Sequence, residues 1–223
     1  MLQSINLTLS QMFSAGFRNV LWKALGITIA LLILLWFGLE AVANIILLPL
    51  LGPWPWATTV LSWLLGAGLI IGLGFLIAPV TAIFAGFFID DVAEQVERRH
   101  YSADPPGRAL PTSQTLGITL KFTGLVIVAN LFALALLLVP GINLAIFYVV
   151  NGYLLGIEYF QFAAFRYMSV RDARALRKKK SGSVFLTGTL IAFCASIPII
   201  NIFTPLFAAA LMVHQVKRMM RAA

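Results

Sequence analysis

Cysteine is almost absent from this sequence, histidine and acid are scarce, and long polar runs are missing. The single cysteine, Cys194, lies inside an apolar stretch, which excludes an internal disulfide and a thiolate metal set. The two histidines, His100 and His214, stand far apart in the sequence, with no serine or carboxylate at a catalytic spacing. No Walker loop, dinucleotide fingerprint or metal-ligand cluster is present. The expectation is a protein that is not an enzyme, with no catalytic, metal or cofactor residues. Charge is thin as well: only 11% of residues are charged against 61% hydrophobic, and the mean hydropathy is +0.95. Too little polar surface remains to cover a soluble core. The composition therefore predicts an all-α integral membrane protein. At 223 residues it is a single membrane domain without room for a separate catalytic one.

What charge there is falls in a pattern. Four stretches, 24–49, 57–89, 122–157 and 181–216, are nearly free of it, Glu40 being the exception in the first. The basic residues lie around and between them: Arg18 and Lys23; Arg98, Arg99, Arg108 and Lys121; the run from Arg166 to Lys180; then Lys217, Arg218 and Arg221. The break between the first two stretches holds Trp54 and Trp56 and no basic residue. Cytoplasmic loops collect Lys and Arg, and Trp gathers at the bilayer interface. The Trp-rich break thus faces out, and both termini face the cytoplasm. The net charge of +8 is explained by clusters beside the membrane facing anionic lipid, so no nucleic-acid partner is expected.

Along the chain this gives seven segments. Residues 1–23 carry Leu2, Ile5, Leu9, Met12, Phe13, Phe17 and Val20 at helical spacing, an amphipathic helix on the cytoplasmic interface. Residues 1–17 lack the basic start and continuous apolar run of a cleavable signal peptide, so none is expected. Residues 24–90 hold two long spanning helices, the second kinked or broken near Pro79 and carrying Gly68 and Gly72 as a small-residue pair for close helix approach. Residues 91–121 form a cytoplasmic loop that ends a helix at Asp104-Pro105-Pro106-Gly107. Hairpin 1 (122–160) and hairpin 2 (183–216) flank a basic cytoplasmic segment (161–182), and 217–223 is a basic tail. Hairpin 1 breaks at Pro140, Gly141 and Asn143; hairpin 2 breaks at Pro198, Asn201 and Pro205. The arms of hairpin 2 run about 14 and 11 residues, short of the roughly 20 a crossing needs. Each hairpin either spans with a tight outer turn or re-enters and returns to the same face. Interrupted hydrophobic segments in corresponding positions point to a permeation or substrate site.

Four further sets of residues invite a function. Glu40 is an intramembrane carboxylate, open to proton coupling or to pairing near the outer interface. Glu158, at the mouth of hairpin 1, is placed to pair with Arg166 or a basic neighbour. Arg171, Arg174, Arg177 and Lys178 recur at helical spacing, forming either a lipid-attracted face or a funnel for anions. Gly16, Phe17, Arg18 and Lys23 lie where the interfacial helix meets the first span. There, free backbone N–H groups beside a cation form an oxyanion site, or Arg18 snorkels to the membrane edge.

Several blocks carry a family resemblance: Ala15-Gly16-Phe17-Arg18, residues 78–97 from Ala78-Pro79 to Glu97, Val139-Pro140-Gly141-Ile142-Asn143, residues 152–159, and residues 197–211 from Ile197-Pro198 onward. In these the chain resembles the CysZ-type sulfate permeases and the etoposide-induced protein domain family. The resemblance implies a bacterial inner-membrane, multi-pass homo-oligomer with partly penetrating hairpins, passing sulfate for cysteine synthesis. It associates sulfate with a Gly-x-Arg element, which Gly16-Phe17-Arg18 fits. Family members carry a second Gly-Leu-Arg downstream, where this chain has Leu21-Trp22-Lys23-Ala24-Leu25. The alternative expectation is a non-conducting scaffold or regulatory subunit that wedges the bilayer.

Overall fold

The computed structural model describes residues 1–50, 53–108, 124–125, 128 and 143–222, and every element among them is helical. Helix α1 (Leu2–Met12) ends at Phe13, and Ser14 opens α2 (Ala15–Val42). The first spanning helix therefore begins well before residue 24, inside the segment read from the sequence as interfacial. Ser14 explains the joint: its backbone is extended and its Oγ accepts from the Phe17 N–H at 3.3 Å. At 28 residues α2 is about 42 Å long, more than a hydrocarbon core requires. It buries one stripe, Phe17, Val20, Ala24, Thr28 and Leu32, and turns its other apolar side chains outward.

A π-helical turn (Ala43–Leu47) and the short α3 (Leu48–Leu50) lead to the break, where Pro55 starts α4 (Pro55–Trp63). A second π-helical turn (Leu64–Gly68) joins α4 to α5 (Leu69–Phe87), which packs along α2. Two helical runs, Ala15–Ile46 and Pro55–Gly74, are long and apolar enough to cross a membrane. Of the kink or break expected near Pro79, the break is absent: α5 stays continuous through residue 79 and the chain turns at Phe88. Proline removes one rung of the ladder, and a helix in lipid has no other outlet for its backbone polar groups.

Past Phe88, α6 (Ile89–His100) carries the expected dipole pattern, Asp90 and Asp91 in its first turn and Arg98, Arg99 and His100 in its last. Further along the chain, α7 (Asn143–Ala164) runs to the basic segment, whose helix α8 (Val170–Lys179) is capped by Ser169. Then come α9 (Ser181–Ala195), the single turn α10 (Pro198–Asn201) and α11 (Thr204–Arg221).

Helix α11 is the core. Every residue from Thr204 to Lys217 is buried, with α1, α5, α6, α7 and α9 packed around it. The only way to bury a whole helix circumference is to surround it, so its polar members are enclosed too: His214 is 1% and Lys217 4% exposed. Helix α1 reverses the ordinary expectation for an amphipathic helix. Its buried residues are Ser4, Thr8 and Gln11, while Leu2, Leu9 and Phe13 stand exposed. Its polar stripe meets protein and its apolar stripe faces away, the arrangement an interfacial helix needs when its outer side touches lipid.

Among the described glycines, the closest helix approach is α7 against α9. A Cβ added at Gly188 would lie 2.6 Å from the Gly156 Cα and would also strike the Gly152 carbonyl. Small residues let the backbones approach there. The sequence offered Gly72 for that role, but a Cβ added at Gly72 would meet no atom within 4 Å.

Candidate functional site

The start of α2 and the end of α6 enclose a cavity of about 600 Å³ lined by Gln11, Ser14, Gly16, Gln95, Arg98 and Arg99, with Ala15 at its edge. Two features give it anion chemistry, the amides at the start of α2 and the arginines of α6. The first turn of α2 leaves amides without intrahelical partners; Ser14 Oγ takes that of Phe17, so Ala15 and Gly16 keep theirs. Arg98 and Arg99 of α6 line it from the other helix. Gln95 reaches over Gly16 so closely that any side chain there would collide with its amide. Gln11 is only 2% exposed, yet its Oε1 has no hydrogen-bond partner.

The predicted anion-binding residues divide on this geometry. Gly16 lines the cavity. Phe17 is 1% exposed and serves as the plug that seats α2 in the core. Arg18 and Lys23 are exposed and outside the cavity lining. The cations beside Gly16 come instead from α6. Arg98 also pairs with Glu94 at 2.8 Å, one turn back on an exposed face.

Glu40 is exposed and accepts from Trp36 Nε1 at 3.2 Å, one turn away. Pro140 and Gly141 lie outside the described residues; Asn143 is the first residue of α7. Pro198 and Pro205 each occupy the first turn of a helix, α10 and α11, so hairpin 2 turns through two proline-started helices with Asn201 ending the first. Helix α10 packs on α5.

A second polar cluster was expected differently. Arg166 does not pair with Glu158. Its Nε donates to Glu97 Oε1 at 2.9 Å and its Nη1 bonds Asp90, both carboxylates on α6. Tyr167 donates to Glu97 at 2.6 Å, and the Gly107 N–H does so at 3.0 Å. Burial by itself would raise the Glu97 carboxyl; the hydrogen bonds from Arg166 and Tyr167 and the Arg166 charge bring it below its ordinary value. Nearby, Lys217 and Arg221 both hold Asp104, with the Lys217 hydrogen bond the largest influence drawing that carboxyl down. The fold also joins the two histidines: the His100 and His214 rings lie 5.1 Å apart edge to face, and Tyr101 Oη is 2.9 Å from His214 Nδ1. Among the described residues no group of three or more potential ligands could hold a metal ion.

The sequence did not single out Gln11, Gln95, Arg98 or Arg99. The usable signal was the paired Arg98-Arg99 at the end of a short amphipathic helix that follows a span. Only the fold puts that end beside Gly16.

A helical membrane protein with its core helix enclosed and two apolar helices extending from the bundle is the class these observations define. The chain belongs to the family described as Sulfate transporter CysZ/Etoposide-induced protein 2.4, matched over residues 5–205. A comparison with curated proteins gives no match.

Proposed function

We propose that this protein passes an inorganic oxyanion, sulfate, across a bacterial inner membrane, receiving it at the start of α2. The observation that carries the reading is the cavity that Ala15 and Gly16, at the start of α2, line together with Arg98 and Arg99. A tetrahedral dianion needs several donors at once to replace its water, and charge-assisted bonds from guanidinium groups supply the strongest. Arg18, exposed one turn along α2, adds to the local positive field rather than to the cavity wall. Orientation with the basic face toward the cytoplasm makes this an inward-side site. Assembly as a homo-oligomer and a role in supplying cysteine synthesis follow from the family reading. Proton coupling through Glu40 is the finer part of the proposal: Glu40→Gln would remove the pH dependence of uptake.

The test is uptake of labelled sulfate into vesicles containing the purified protein. Arg98→Ala/Arg99→Ala should lower uptake at least tenfold, since each lost charge-assisted bond is worth about 1.5 to 3 kcal/mol. Uptake equal to that of empty vesicles would refute transport and favour a membrane scaffold. Uptake unchanged in the double variant would remove the cavity from the path.

A further inference from the structure

A second cavity, of about 370 Å³, opens where the basic helix α8 meets the apolar arms α7 and α9. Its residues sort by chemistry. Arg174, Arg177 and Lys178 of α8 form one wall, and none of the three makes an ion pair among the described residues. Tyr153 and Ile157 of α7 and Val184 and Phe185 of α9 form the other. No carboxylate lines it; Asp172, the acid of α8, is engaged at 2.7 Å by Ser169. Ser181 stands between the two walls at the first position of α9, a 15-residue helix whose N-cap, Lys180, supplies no side-chain acceptor to the opening amides.

We infer that this cavity binds one anionic phospholipid of the cytoplasmic leaflet. The phosphate sits among Arg174, Arg177, Lys178 and the Ser181 hydroxyl, and the glycerol and first methylenes lie against Tyr153, Ile157 and Phe185. Charge complementarity selects an anion, and the apolar wall selects a lipid over a free one. A dissolved phosphate or sulfate is surrounded by water on all sides and gains nothing from four apolar side chains. A lipid presents charge and hydrocarbon at the spacing found here, and exposed Val149 lies one turn beyond Tyr153 on α7. The cavity shares no lining residue with the one at the start of α2. Because its walls come from three consecutive helices, an occupant ties the basic segment to both arms beside it. The lipid is thus a structural ligand that binds the folded bundle and stabilises it by mass action.

Native mass spectrometry of the purified full-length protein, with phosphatidylglycerol or phosphatidylcholine titrated into detergent micelles, reads the binding. Phosphatidylglycerol should add with one tight site and raise Tm, and phosphatidylcholine should not. Arg174→Gln/Arg177→Gln should weaken the tight site about tenfold or more, whereas Arg171→Gln/Arg218→Gln, an equal charge change at exposed positions outside the cavity, should leave it unchanged. Lys178→Gln, a single change in the same wall, gives the same reading if the double variant does not fold. Phe185→Ala should weaken phosphatidylglycerol binding while leaving any inorganic phosphate binding as it was. Equal losses in the two double variants would show diffuse charge attraction and overturn the site. Displacement of phosphatidylglycerol by millimolar inorganic phosphate, with Phe185→Ala indifferent, would show a free-anion site and overturn the lipid.

Discussion

The guanidinium of Arg166 meets two carboxylates, Asp90 and Glu97, and only 3% of its side chain reaches solvent, so it cannot be removed without stranding a buried charge. Arg166→Leu should cost about 3 to 5 kcal/mol, because Glu97 would remain enclosed without its main counter-charge. Thermal unfolding in detergent checks this. The same cluster sets a pH limit. The folded-state Glu97 carboxyl lies below its ordinary value of 4.5, so its contribution is complete above that value. It is lost as pH falls below 4.5 through the folded-state value. Asp104, also drawn down, loses its part over the same acidic range. The wild-type protein should therefore lose stability steeply in that range, and Arg166→Leu should flatten the dependence; an unchanged slope would count against the assignment. Sequence reading offered Arg166 or a basic neighbour as a partner for Glu158, which sits at a hairpin mouth. The true partners of Arg166 lie some seventy positions back on another helix, and no local pattern carries such a pairing.

Between helices, glycine decides where backbones touch. Gly188 faces Gly152 and Gly156 so closely that even a methyl group would meet main-chain atoms, which cannot move aside as a side-chain tip can. Gly188→Val should lower Tm in detergent by well over ten degrees or abolish folding, while Gly72→Ala, into open space, should be neutral or raise stability by about 0.5 to 1 kcal/mol. Comparable losses at the two positions would mean that Gly72 meets a partner helix in the membrane. The motif Gly152-x-x-x-Gly156 was visible in the sequence as clearly as Gly68 and Gly72 were. Spacing of small residues tells where a helix can be approached, and it cannot tell which helix does so. Pro198 and Pro205 read as breaks in the sequence, and the structure puts each in the first turn of a helix, where its fixed φ fits and its missing N–H leaves no rung unmade. The periodicity of α1 was legible too, but not the sense of its burial. Two faces are evident in Ser4, Thr8 and Gln11 against Leu2 and Leu9, and only the packed bundle shows that the polar face turns inward.

At the scale of the whole molecule, the described residues form two zones with opposite surfaces. Around α11 the bundle is enclosed and bears Arg98 and Arg99 of α6, the basic residues of α8, and Arg218 and Arg221 of α11 on its outside. Helices α2, α4 and α5 expose Leu34, Phe37, Trp56, Trp63 and Ile71. The first zone suits a headgroup layer and the second a hydrocarbon layer. Trp54→Cys, in a Cys194→Ser background, should react with an impermeant thiol reagent added outside intact cells. Asp91→Cys or Arg221→Cys in that background should react only after the membrane is opened. The reverse result would invert the orientation and move the α2 cavity to the outer face. Hydropathy located both spanning helices, and the distribution of Lys and Arg predicts their direction. The cavity at the start of α2 was half legible: Gly16 marks it in the sequence, but Arg98 and Arg99 enter only when α6 folds back alongside.

The enclosed helix α11 also dictates an order of events during synthesis. It follows in the chain every other helix it packs against, so α1, α5, α6, α7 and α9 leave the ribosome before the element that unites them exists. Until then Phe160, Val92 and Val96 have no core to enter and must be held by the insertion machinery or by lipid. Nascent chains arrested with residue 203 at the tunnel exit should remain open to protease on the cytoplasmic side. Chains arrested with residue 221 fully emerged should become resistant in one step. Gradual protection across the arrested lengths would show that the earlier helices assemble without waiting for α11.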